Sequence, residues 1–217
     1  MNLVNRVFYI LIPLAVLFSC SGNDSSQGDQ FLSNQQYKQA VAAYSEVLAT
    51  DAKNTNVLYK RGRAYEAMGN LDEAEQDFKS AFDLDPRNVQ VLMSLSNIYQ
   101  KKKDNEMALQ YASYATEIPG APAMAFFLKG RAYHLLGNTE SAMADYNTAI
   151  KIDGDFGQAY YYRGMLKRAT GQNRASCTDL KKAVSLGYAQ AEEAVENYCS
   201  WPQATLINYG SVKLNMI

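Results

Sequence analysis

Cys20, Cys177 and Cys199, the single histidine His134 and the acidic pair Asp72/Glu73 are the side chains whose chemistry invites a role beyond packing. A thiol can carry an acyl group or pair with a second thiol. His134 stands alone. No HExxH, Walker loop, GxSxG or CxxC pattern accompanies it, and a general base needs a nucleophile or a metal-bound water to serve. It reads as a surface residue. Asp72 and Glu73 open a stretch of helical periodicity, where carboxylates favour the helix N-terminus through its dipole. Lys101, Lys102, Lys103 and Asp104 read as a solvated turn. These residues support no catalytic centre, no cofactor and no metal site, so the chain reads as a non-enzyme.

Composition narrows the classes further. The chain has 217 residues, a formal net charge of −1 and a pI near 5.9. A nucleic-acid binder needs a basic face, which this balance does not supply.

The first nineteen residues stand apart. Arg6 and the free amine precede an apolar run, Val7 to Phe18, broken only by Pro13. That run is too short to cross a bilayer as a helix, and it has the anatomy of a secretory signal peptide. It ends in LFSC at 17–20, which resembles the lipobox of bacterial lipoproteins. The resemblance implies cleavage before Cys20 and lipid on its sulfur. The other reading is an ordinary signal peptide with a chance cysteine. Small polar residues follow, and 20–28 reads as a flexible tether with a root-mean-square length of about 15–20 Å. Several acyl chains would anchor it stably, each buried methylene contributing roughly 0.8 kcal/mol. Ser21 rather than Asp follows the cysteine. By resemblance to lipoprotein sorting, that implies the outer membrane of a Gram-negative envelope, facing the periplasm.

The elements that must carry these residues come from a repeat. GRAYEAMGN at 62–70 returns as GRAYHLLGN at 130–138. With position 1 at Thr55, units 55–88, 89–122, 123–156 and 157–188 follow without insertion. Position 8 reads Gly62, Ser96, Gly130, Gly164; position 20 reads Ala74, Ala108, Ala142, Ser176; position 27 is always Ala. Aromatic or bulky residues recur at positions 11 and 24, and GN, KD, GN and GQ occupy positions 15–16. Tyr37, Ala40, Tyr44 and Val47 fit the second half of a preceding unit, 29–54, whose first half is mostly missing. Each unit therefore predicts two amphipathic helices, A and B, with a turn at 15–16 where Gly suits a left-handed helix end. Gly inside a helix costs about 1 kcal/mol relative to Ala, so its return at position 8 points to close helix approach. This pattern resembles the tetratricopeptide repeat (TPR) family over about residues 30–188. The resemblance implies an all-α, right-handed α-solenoid of stacked helix-turn-helix units.

One comparison stays inside the chain. Position 7 is Arg61, Leu95, Lys129, Arg163, and position 23 is Asp77, Tyr111, Asp145, Asp179. Basic meets acidic in three units and apolar meets aromatic in the fourth, which predicts an A-to-B pairing within each unit. Exposed, each pair would contribute about 0–1 kcal/mol.

The array needs an end. Tyr188 to Cys199 carries apolar residues at 188, 191, 195 and 198 opposite Glu192, Glu193 and Glu196, and reads as a capping helix. Residues 200–217 break the period. They read either as an irregular tail or as a segment packed on the solenoid. With Cys20 assigned to lipid, Cys177 and Cys199 remain as an even pair in an exported protein. They are two free buried thiols or a disulfide. Gly187 lies between them, and helices folding back there place both cysteines about 15–18 Å from the turn. That geometry favours the bridge.

TPR A helices line a concave surface, and positions 2, 5, 9 and 12 share one helical face. Position 5 reads Tyr59, Met93, Phe127, Tyr161; position 9 begins Arg63, Asn97, Arg131. Aromatics, Met and Arg dominate interface energetics. The series resembles the polar clamp by which some TPR proteins hold peptides, which implies a protein or peptide partner in this groove. The expected function is that of a scaffold or adaptor lipoprotein, of the kind found in envelope assembly and secretion machines. The alternatives are a self-assembling structural component, marked by an exposed apolar stripe at either end, or a regulatory subunit of an envelope enzyme.

Overall fold

The computed structural model describes residues 25–199. The signal peptide, Cys20 and the 200–217 tail lie outside the described residues. Eleven helices follow one another there: α1 (Ser26–Ser33), α2 (Tyr37–Thr50), α3 (Thr55–Ala67), α4 (Leu71–Leu84), α5 (Val89–Lys101), α6 (Asn105–Glu117), α7 (Ala123–Leu135), α8 (Thr139–Ile152), α9 (Gly157–Ala169), α10 (Asn173–Ser185) and α11 (Gln190–Cys199). The described residues contain no strand. Each odd helix from α1 to α9 packs on the even helix after it, and successive pairs stack into a solenoid.

The first pair corrects the expected boundary. Helix α1 takes in Ser26, Gln27 and Gly28, the end of the stretch read as a tether, so the first unit has an A helix after all. Gly28 occupies position 8 there, and a Cβ on it would fall 2.4 Å from the Tyr44 ring. Asp29 fixes the short helix by accepting hydrogen bonds from the Tyr44 hydroxyl and the Lys60 ammonium, both at 2.7 Å.

Local chemistry sets the helix ends. Asn54, Asn88, Asp104 and Asn138 accept hydrogen bonds from backbone N–H groups of the first turn that follows, filling orphan donors. Position 15 is left-handed in all four units: Gly69, Gly137 and Gly171 near φ +80°, and Lys103 at +63°.

The three charged position 7–23 pairs form inside their units. Arg61 donates two hydrogen bonds to Asp77, and Arg163 two to Asp179, at 2.7–2.8 Å. Lys129 lies 3.3 Å from Asp145. These pairs are not exposed: Asp77 and Asp179 are each 4% accessible. They therefore belong to the regime where losing one partner strands a buried charge. In the odd unit, Leu95 is buried and Tyr111 stacks flat on Tyr99 with centroids 5.5 Å apart.

The cap forms as α11. Ala191, Ala194 and Cys199 are buried, Val195 and Tyr198 are half-buried, and Glu192, Glu193 and Glu196 are exposed. Cys199 is bonded to Cys177 with a Cα–Cα separation of 5.5 Å.

Candidate partner groove

Helices α3, α5 and α7 set their position-5 and position-9 side chains along one groove of about 290 Å³. Tyr59, Met93 and Phe127 reach it from position 5, and Arg63, Asn97 and Arg131 from position 9. The 34-residue spacing causes this: residues one repeat apart occupy equivalent places on stacked helices. Phe127 is buried and forms the floor, against Tyr146, Phe156 and Tyr162. Met124 adds an exposed thioether at the rim. Unbranched Met side chains re-pack around varied partners at little cost.

Tyr161 does not join them. Its ring meets Tyr162 and Tyr188 at 5.2 Å each and packs on the cluster holding Cys177, Leu180, Ala194 and Cys199. Tyr188 leads into the cap, so the array's closure claims this aromatic.

Glu66 organises the polar side of the groove. Its Oε1 accepts from Asn97 Nδ2 at 2.6 Å and from Lys101 Nζ at 2.8 Å. Its Oε2 lies 3.4 Å from Arg63 Nε. Arg63 also donates to the Tyr59 hydroxyl at 3.1 Å. Reading the sequence unit by unit missed this junction, because Glu66 reaches Asn97 and Lys101 from the unit before. The available signal was an acid at position 12 of one unit facing Asn at position 9 of the next. Arg131 differs. Its guanidinium lies over the Tyr162 ring at 5.0 Å and the Phe127 ring at 6.0 Å.

His134 is half-buried rather than a surface residue. Its Nδ1 lies 3.4 Å from the Tyr146 hydroxyl. Burial, reinforced by the nearby Arg131 charge, holds its pKa below the usual histidine value, so the ring is neutral at pH 7. Burial likewise pushes the Tyr146 hydroxyl up. Among the described residues no group of three or more His, Cys, Asp or Glu could hold a metal ion, and no helix is long and apolar enough to cross a membrane. Asp72 sits in the first turn of α4 and pairs with Lys102 at 2.5 Å. Among the described residues the groove offers hydrogen-bond donors, a guanidinium held by ring faces and adaptable apolar surface, which is recognition chemistry.

Comparison with known proteins agrees with the architecture. Residues 28–69 and 130–171 match the family model described as TPR repeat, and 55–88 match the tetratricopeptide repeat model. These segments are tetratricopeptide repeats. Anaphase-promoting complex subunit 3 of Schizosaccharomyces pombe is 24% identical over 48% of this chain and 16% of its own length. The chain thus spans less than a fifth of that relative. Among solved structures, PilW, described as a widely conserved type IV pilus biogenesis factor, superposes with a TM-score of 0.69 at 19% identity, covering 82% of this chain and 93% of its own. YrrB, described as a TPR protein with an unusual peptide-binding site, has a TM-score of 0.64 at 20% identity, covering 81% and 94%. At these identities the likeness is one of fold.

Proposed function

We propose that this protein is a non-enzymatic scaffold that holds an extended segment of a partner protein in the α3–α5–α7 groove. It is tethered through lipid on Cys20 to the outer membrane of a Gram-negative envelope, facing the periplasm. The carrying observation is the groove itself. Three consecutive A helices present Tyr59, Met93 and Met124 above a floor of Phe127, flanked by Arg63 and Arg131. The peptide-binding site named for YrrB supports the same use of a fold of this kind. The LFSC stretch supports the anchor, and the Cys177–Cys199 bond suits an oxidising compartment.

Photo-crosslinking in native membranes tests this reading. A photoreactive residue replaces Met124 at the groove rim, or Lys38 on the exposed side of α2, in the full lipidated chain. Capture of a defined partner at 124 and not at 38 is expected. Capture at 38 with none at 124 would move the site off the groove. In the same cells, Cys20→Ser is expected to shift the protein from the membrane to the soluble fraction; unchanged membrane retention would refute the anchor.

A further inference from the structure

The groove residues are not equally free to meet a ligand. Among the described residues Glu66 is the only acidic side chain that lines the groove, and it is already engaged by Asn97, Lys101 and Arg63. Its own side chain is only 11% exposed, although Arg63 and Lys101 reach it from the solvent side at 52% and 44%. Asn97 and Arg63 are the donors that an incoming carboxylate would meet at the α3–α5 end. The protein's own carboxylate holds them instead. At the α7 end the reverse applies. Arg131 is held by the faces of Tyr162 and Phe127, and no carboxylate of the described residues pairs with it. Ring faces orient a guanidinium and leave its N–H edge available to an acceptor. The positive charge of Arg131 is felt at His134, Tyr146 and Tyr188, all neutral groups at pH 7.

We infer that the groove selects a partner segment carrying one carboxylate next to an apolar side chain, and that Glu66 sets this count by occupying the second carboxylate seat. The inference rests on the groove reading above. The ligand's carboxylate meets Arg131, and its apolar neighbour enters between Met93 and Met124 over Phe127. A second acid placed toward α3 finds the Asn97 amide and Arg63 Nε already turned to Glu66 and gains less there than at Arg131. The chain's own 200–217 segment does not supply such a ligand side chain: its single charged residue is Lys213. A side-chain carboxylate must therefore come from a separate protein.

Selection from a phage-displayed library of random twelve-residue peptides on the immobilised full mature chain tests the inference. Wild-type pools are expected to enrich one Asp or Glu beside Leu, Met or Phe. Arg131→Gln is expected to abolish the acid enrichment and to weaken an isolated acidic clone about tenfold or more, the loss expected for a hydrogen-bonded charge pair. Arg131→Lys keeps a partial preference. Glu66→Gln is expected to enrich a second acid, a gain that loss of folding would not produce. Synthetic copies of the winning clone with free and amidated ends tell a side-chain carboxylate from a terminal one. Enriched pools without acids, or acids that persist in Arg131→Gln, overturn the inference and leave the groove reading standing. No enrichment of any sequence overturns both.

Discussion

Gly62 lies against the ring of Phe78: a Cβ added there would come within 2.7 Å of Cε1. Gly130 faces Tyr146 in the same way at 2.9 Å, and Gly164 faces Leu180 at 3.1 Å. Where position 24 shrinks to Ala112, position 8 grows to Ser96. The two positions share one volume, so bulk on one helix requires a bare backbone on the other.

Gly62→Ala therefore sets two effects against each other. Helix propensity favours Ala by about 1 kcal/mol. Overpacking against a buried ring costs about 1–3 kcal/mol. The ring is fully buried, so the second effect wins and the variant is expected to lose up to about 2 kcal/mol net. Adding Phe78→Leu to Gly62→Ala should cost less than the two single changes summed. Urea unfolding of the four proteins checks this; strict additivity would refute the shared volume.

The chain itself supplies a donor for testing the buried ion pairs. The 89–122 unit fills the Arg61 and Asp77 seats with Leu95 and Tyr111. Arg61→Leu alone leaves Asp77, 5% exposed at its side chain, without its two strongest donors. A loss of about 3 kcal/mol is expected. Arg61→Leu with Asp77→Tyr should recover most of it, because an apolar pair of similar size is often as stable as the buried ions. A double variant no better than Arg61→Leu would mean that the pair contributes geometry no apolar pair can supply.

The 34-residue period made most of the fold legible, because interlocking residues recur and each recurrence tests the last. The position 7–23 pairing was readable for the same reason: both partners lie in one unit. Helix α1 was not, since eight residues give almost no periodicity, although Gly28 sits one period before Gly62. The groove's apolar stripe was legible by position, but its electrostatics were not. Glu66 bonds to residues of the following unit, and contacts between units depend on how far each unit turns on the last. Tyr161 matched its repeat position and still left the groove, because the cap beyond the repeats supplied Tyr188 to cover it.

Acid should weaken the array through Glu75. Burial alone would raise its pKa. Hydrogen bonds from Lys102, Lys79 and Tyr99 outweigh that and hold it down at about 2, against 4.5 ordinarily. The contacts measure 2.6 Å to Lys102, 2.6 Å to Lys79 and 2.7 Å from the Tyr99 hydroxyl. A carboxylate whose pKa is lower in the folded state stabilises above its unfolded pKa, and the contribution fades as pH falls. The window here runs from about 4.5 down to about 2. Urea midpoints of wild type should fall more steeply across that window than those of Glu75→Gln, which has no charge to lose. Parallel pH profiles would show that Glu75 is not held by these contacts.

The Cys177–Cys199 bond should act on the cap alone. Both cysteines lie in the last two helices, 22 residues apart, and both are buried. In the chain-entropy account, a bridge closing a loop of that size stabilises by about 3 kcal/mol. All of that falls on the parting of α11 from α10, since the loop holds only α11 and the C-terminal part of α10. Cys177→Ala with Cys199→Ala is expected to speed amide exchange across Gln190–Cys199 by about two orders of magnitude. Protection in α3 to α8 should change little, because each unit of a solenoid touches only its neighbours. Tyr161 would be the groove-side residue to notice, since it rests on the cap through Tyr188. In the oxidised wild type, buried sulfurs can meet a reductant only after the cap opens. Reduction by dithiothreitol should therefore accelerate at urea concentrations well below those that unfold the array. If reduction waits instead for global unfolding, the cap is not an independent unit, and the bridge stabilises the whole solenoid.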